Sequence, residues 1–379
     1  MSKIKIIGFP VSDSRQVKSF ISFPLSSGIY AGDSNYIPPL RVDIEERLNP
    51  AKNPFFKHGK MRLFLAEDGG RLVGRVSAQV DYQFVSYQGK NTGFFGFFES
   101  INDIEVSNAL LKAASGWLKA HGMDDMIGPM CPSMSEEIGI LVEGFAPATI
   151  LTSYNPLYYA NLFTSSGFEV VKTWYAWRVE TKDFLNRSER FERMFESLKK
   201  RNGIEIRKVN MKQFYDELKI IRYLWNECWK DNWGFTPLTE EDINYIGEKL
   251  KDLVVEDLAL FVYKDGKPVG VSITLPDLNQ AIKDFKGELN LINMIKLFYR
   301  LKVKPVKTLR VLILGVLEEY RHRGLDALLY IGSAEAALKK GYIYGEASMI
   351  LEDNWGINNA IKNLGGVPYK KFYIFGRNL

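Results

Sequence analysis

The sequence predicts an α/β chain made of two copies of one domain. Three observations carry this: a strand–turn–strand pattern that occurs twice, a turn-and-strand pattern that closes each half, and an apolar strand that runs through a basic turn into a helix. At 379 residues the chain exceeds one ordinary domain, and two is the natural division.

Taken in order, Met1-Ser2-Lys3-Ile4-Lys5-Ile6-Ile7 reads as a first strand. Leu63-Phe64-Leu65-Ala66-Glu67-Asp68-Gly69-Gly70-Arg71-Leu72-Val73-Gly74 reads as a hairpin, and Leu260-Phe261-Val262-Tyr263-Lys264-Asp265-Gly266-Lys267-Pro268-Val269-Gly270 reads the same way. Asp-Gly between apolar runs is a strong hairpin signal. Gly167-Phe168 leads into Trp174-Tyr175-Ala176-Trp177, as Gly366-Val367 leads into Phe372-Tyr373-Ile374-Phe375. Gly74 to Gly270 spans 196 residues and Gly167 to Gly366 spans 199, so order and spacing are both kept. A helix over 106–121 ends at Gly122, and one over 325–340 ends at Gly341, an offset of 219. That offset puts an insert of about 20 residues in the second half, near 283–305. It contains Leu291-Ile292-Asn293-Met294-Ile295-Lys296-Leu297-Phe298-Tyr299, a candidate amphipathic helix lining a site. The boundaries expected are 1–180, a charge-rich linker or helix over 181–203, and 204–379.

Composition narrows the function classes. Hydrophobic residues make up 46%, enough for sizeable cores, and the 24 Phe and 19 Tyr suit core packing or an apolar tunnel. A net charge of +5 does not indicate nucleic acid. Two cysteines, Cys131 and Cys228, make no disulfide framework, and Cys131 reads as a structural thiol. No apolar run reaches the roughly 18 residues of a spanning helix, and no signal peptide opens the chain. The expectation is a cytoplasmic protein without a transmembrane segment. His58, His121 and His322 are scattered, and no Cys/His spacing makes a metal site.

The chemistry lies in Leu312-Ile313-Leu314-Gly315-Val316-Leu317-Glu318-Glu319-Tyr320-Arg321-His322-Arg323-Gly324-Leu325-Asp326-Ala327. A helix start presents free N–H groups and a positive dipole end, which suits a phosphate. Arg321 and Arg323 add charge, and Gly324 allows close approach. The stretch resembles motif A of the GNAT acyl-CoA N-acyltransferases, Arg/Gln-x-x-Gly-x-Gly/Ala. Arg321 and Gly324 match; the last position is Asp326, with Ala327 one place later. Pieces such as Gly93-Phe94-Phe95-Gly96-Phe97-Phe98-Glu99 and Leu351-Glu352-Asp353-Asn354 also resemble a bacterial double-GNAT group. The resemblance implies two tandem GNAT-like domains, each a mixed, mostly antiparallel sheet flanked by helices. It implies coenzyme A, carrying acetyl or a longer acyl group, on Leu314, Gly315, Val316, Arg321, His322, Arg323, Gly324, Leu325, Asp326, Ala327 and Asn354.

At the offset of 219, Asn102-Asp103-Ile104-Glu105 stands where Arg321-His322-Arg323-Gly324 stands. A pyrophosphate there would meet like charge, worth a few kcal/mol at about 4 Å and intermediate dielectric. The first half is therefore expected to lack a coenzyme A loop, and the second to bind acyl-CoA.

The resemblance implies direct attack of an amine on the thioester, with acetyl the first choice of acyl group. Base candidates are Glu318, Glu346 and Glu352; the Val316 N–H is the oxyanion candidate. Tyr369 and Tyr373 are acid candidates or core aromatics. The family's tyrosine for the leaving thiolate falls at Ile361. Asn354 reads either as a cofactor contact or as a helix cap. Gly315 reads as a close approach or a bulge. Trp229, Asn232, Trp233, Phe235 and Asn279 are candidates for a small-molecule or peptide amine acceptor. Two other readings stay open: an aminoacyl- or peptidyl-transferase-like tandem enzyme, and a non-catalytic acyl-CoA-binding protein. The sequence is silent on the acceptor, the acyl length and the oligomeric state.

Overall fold

A computed structural model describes residues 4–133, 136–188, 196, 203–304 and 306–379. Of the charge-rich linker, Thr181–Ser188 is a helix. Glu189, Arg190, Glu192, Arg193, Lys199, Lys200 and Arg201 lie outside the described residues. The fold has two compact units. One is Met1–Trp174 with Ile282–Met294 and Lys370–Leu379; the other is Tyr175–Ala281 with Ile295–Tyr369. The halves expected from the repeat are thus interleaved, each unit drawing chain from the other half.

In the first unit, β1 (Lys5–Phe9), β2 (Gly59–Asp68), β3 (Arg71–Asp81) and β4 (Thr92–Ser100) pair antiparallel in that order. Helix α1 (Ile104–Ala120) buries Leu110, Leu111, Ala114 and Leu118 against this sheet, with spacings of three and four residues as a one-faced helix requires. It leads to β5 (Asp125–Gly128), parallel to β4. The C-terminal strand Val367–Asn378 completes the sheet, with Phe375 opposite Gly128 and Asn378 opposite Asp125. Phe375 lies in the same core as Phe95 and Phe163.

β4 and β5 pair only over Thr92–Phe94 and Asp125–Ile127. The chain that follows fills the fork: a Cβ on Gly96 would lie 1.7 Å from the Met130 carbonyl oxygen. The Gln79 amide donates to that same oxygen at 2.7 Å, and the Phe97 N–H to Cys131 Sγ at 3.1 Å. Burial pushes the Cys131 thiol up to about 12, so it stays protonated. Gly96→Ala must displace backbone. We expect a loss of about 3 kcal/mol of stability, read as a lowered urea midpoint.

In the second unit, β6 (Glu169–Glu180) contributes residues 175–180, and β7 (Ile204–Lys208) is the first strand wholly inside it. Helices α2 (Phe214–Cys228) and α3 (Glu240–Leu250) follow, then β8 (Ala259–Lys264) and β9 (Lys267–Pro276). The hairpin tips are Gly69-Gly70 and Asp265-Gly266, with positive φ at both residues of each. Helix α4 (Leu291–Phe298) occupies the insert, with residues 291–294 in the first unit and 295–298 in the second, and β10 (Thr308–Val316), α5 (Leu325–Lys339) and β11 (Tyr344–Leu351) follow it. Strands β7, β8, β9 and β10 pair antiparallel, and β11 runs parallel to β10.

Candidate active site

In the second unit β10 and β11 part. Their pairing runs from Thr308–Tyr344 to Val311–Ala347 and stops. β10 stays paired with β9 to Val316, but its register shifts by one at Leu312, an extra residue where the fork begins. The Leu317 N–H bonds the Val269 carbonyl at 2.9 Å. Antiparallel pairs alternate, so the N–H groups of Val316 and Leu314 point away from β9, toward the side where β11 has left. A linear substrate with amide groups can pair with them as a short strand would. Gly315, half-buried between them, faces Trp229: a Cβ there would meet the indole at 2.5 Å. The close approach at Gly315 is therefore made by this chain's own side chain.

After β10 the chain makes one tight turn, Glu318–Tyr320, and enters α5. His322 has φ 60 and Gly324 φ 80, which turn the backbone into the helix. Gly324 is the N-cap and supplies no side-chain cap, so the first N–H groups of α5 keep their donors and their dipole field. Arg321 is held: Nε donates to the Val316 carbonyl at 3.2 Å and Nη2 to the Cys228 carbonyl at 2.7 Å. It fixes the turn, a role the motif does not reveal. Arg323 is exposed and lies 5.6 Å from the Tyr320 ring. His322 and Asp326 are exposed, Ala327 is half-buried and Leu325 is core.

The first unit differs at the equivalent helix start. Asp103 is the N-cap of α1 and accepts from the Glu105 N–H at 2.8 Å. Aligned on the helix starts, Asp103 rather than Glu105 stands in the place of Gly324. This corrects the sequence register by two residues. Glu99 is buried there, bonded by Tyr30 at 2.9 Å and Tyr159 at 2.6 Å. Desolvation raises its pKa, with Arg75 opposing.

One residue before the fork, Arg310 and Glu346 stand opposite each other. Glu346 is 1% exposed. Its carboxylate accepts from Ser348 Oγ at 2.5 Å and from the Tyr369 hydroxyl. Arg310 Nε donates to Ser348 Oγ at 3.0 Å. Burial and then Glu346 push the Tyr369 pKa above its ordinary value, so this hydroxyl stays a donor. The structure thus joins two residues that the sequence named separately, and adds Arg310 and Ser348, which it missed. Their polarity inside apolar strands was the available signal.

Other expectations separate. Glu352 is exposed beyond β11 and accepts from Tyr175 at 2.7 Å. It stands roughly 20 Å along the strand from Glu346, at about 3.3 Å per residue. Asn354 caps the next helix through the Ile357 N–H. Ile361 is core, and Tyr373 packs in the first unit. Trp229 stacks on Trp225 at 5.0 Å and, with the Cys228 carbonyl, brings its loop to the fork. Asn232 and Phe235 shape that loop by main-chain bonds; Phe235 is buried and Trp233 half-buried. Asn279 sits at the other end of β10, where its N–H bonds Asp277. Beside the fork an apolar cavity runs between α2, α3 and the sheet, lined by Leu218, Ile221, Ile243, Ile246, Leu312 and Ile313.

No family model matches the chain. It is 35% identical over 377 residues to "Bacterial ceramide synthase" of Caulobacter vibrioides, covering 98% of this chain and 97% of that protein. It is 34% identical over 372 residues to "Protein YghO" of Escherichia coli, covering 97% and 94%. Among solved structures it is similar to a tandem GNAT protein from the clavulanic acid biosynthesis pathway, with TM-score 0.56, 13% identity, and 99% and 98% of the chains covered. It is also similar to a GCN5-related N-acetyltransferase from Sphaerobacter thermophilus, with TM-score 0.53, 9% identity, and 100% and 96% covered. At those identities the structural likeness speaks for the fold.

Proposed function

We propose that this chain, which belongs to the GNAT superfamily and to the family of the Caulobacter and Escherichia proteins, transfers an acyl group from acyl-CoA to an amine, with the donor bound in the second unit. The observation that carries this reading is the fork: β10 turns two N–H groups toward the departed β11, next to a helix start without a cap. In the first unit the corresponding fork is filled by Met130 and the helix start is capped by Asp103. That contrast supports one donor site per chain.

The donor's pyrophosphate would sit at the start of α5, on N–H groups of residues 325–327 and beside Arg323. Its amide-bearing arm would run along Leu314 and Val316. Coenzyme A supplies a thioester whose carbonyl carbon is open to attack. The amine lone pair forms the C–N bond as the C–S bond breaks, and the thiolate leaves. The oxyanion would form at the base of the fork, where the bulge at Leu312 interrupts the ladder, rather than at Val316, which stands about 20 Å along β10 from the register partner of Glu346 at about 3.3 Å per residue. Glu346 accepts the proton that the amine must lose, while Ser348 and Tyr369 hold its carboxylate in place.

The name of the Caulobacter relative favours a long acyl chain over acetyl, since a ceramide is the amide of a fatty acid and a long-chain amino alcohol. Release of free thiol from acetyl-CoA and hexadecanoyl-CoA, with a long-chain amino alcohol as acceptor, tests this. Amide formation with the long donor is the expected result; no turnover with any donor would remove the reading.

A further inference from the structure

Helix α4 is inside out. Its buried residue is the polar Asn293, whose side chain donates to the Glu288 carbonyl at 2.9 Å. Its apolar residues face outward: Leu291 is 73% exposed, Ile292 66%, Ile295 63% and Phe298 65%. Val303, in the turn that follows, is 62% exposed. Soluble proteins rarely present so continuous an apolar patch without something that covers it. The patch is also basic. Lys296 and Lys304 are exposed along it, and no Asp or Glu occurs from residue 289 to 317.

We propose that α4 and the turn after it dock this chain onto the surface of an anionic lipid bilayer. The apolar side chains would enter the boundary between headgroups and acyl chains, and the lysines would meet headgroup phosphates. Eight helical residues rise only about 12 Å, far short of a span, so the helix would lie in the interface. Charge selects this occupant. A second copy of the chain would bring the same lysines together with no carboxylate from this segment to meet them. A bilayer supplies both an apolar layer and negative charge. The inference does not depend on acyl transfer, and its test uses no enzymatic readout.

Flotation with vesicles of phosphatidylcholine, with and without phosphatidylglycerol, is the direct measurement. The native chain is expected to float with the anionic vesicles and to be released by salt. Ile292→Asp/Phe298→Asp changes only exposed positions and should weaken binding at least tenfold. Lys296→Glu/Lys304→Glu should remove most of the preference for phosphatidylglycerol. A native chain that stays unbound, or an aspartate variant that floats equally well, would overturn the proposal. So would a native dimer that the aspartate variant dissociates while neither binds vesicles.

Discussion

Replacing Glu346 with glutamine is expected to lower kcat by about 10² to 10³-fold while leaving the affinity for acyl-CoA within about twofold. Glutamine keeps the shape and loses the base. Glu346 is buried and bonded by Ser348 and Tyr369, with Arg310 on Ser348, so the carboxylate is fixed next to the fork and shielded from water. A base works only when deprotonated, so the native rate should fall toward acid pH, and that limb should vanish in the glutamine variant. Glu352→Gln, at the exposed end of β11, should leave the rate near native. Equal losses at the two positions in a steady-state assay would refute the assignment of the base.

The second large effect is expected at Gly324. Its φ of 80 lies in the left-handed region, where a side chain costs roughly 1–2 kcal/mol. Gly324→Asp would also put a carboxylate at the start of α5, as Asp103 does at α1. The donor phosphates would then meet like charge. The dissociation constant for coenzyme A should rise at least about tenfold. Circular dichroism should show helix content unchanged, because position 324 is the N-cap and lies outside the helix itself.

Much of this was legible in the sequence because it is local. The two hairpins, the helices ending at Gly122 and Gly341, and the turn into α5 are each set by neighbours in the chain. The C-terminal strand was not legible in the same way. Its alternation marks Phe372–Phe375 as strand, but nothing in it names Asp125–Gly128, some 250 residues earlier, as its partner. Pairing at that distance is decided by the shape of the open edge and the apolar surface it leaves. Glu346 and Tyr369 were both visible as chemistry, but their meeting depends on tertiary packing. Arg321 carries a role no local motif names: in the folded turn its guanidinium also bonds two carbonyls. Helix α4 was readable as a helix, and its exposure was not, because periodicity shows which residues share a face and not what that face meets.

The assignment of one donor site to the second unit is tested most directly by calorimetric titration of coenzyme A into the native chain and into Gly324→Asp. One site per chain, lost in the variant, is the predicted result. Two sites, no binding by the native chain, or undiminished binding by the variant would contradict it.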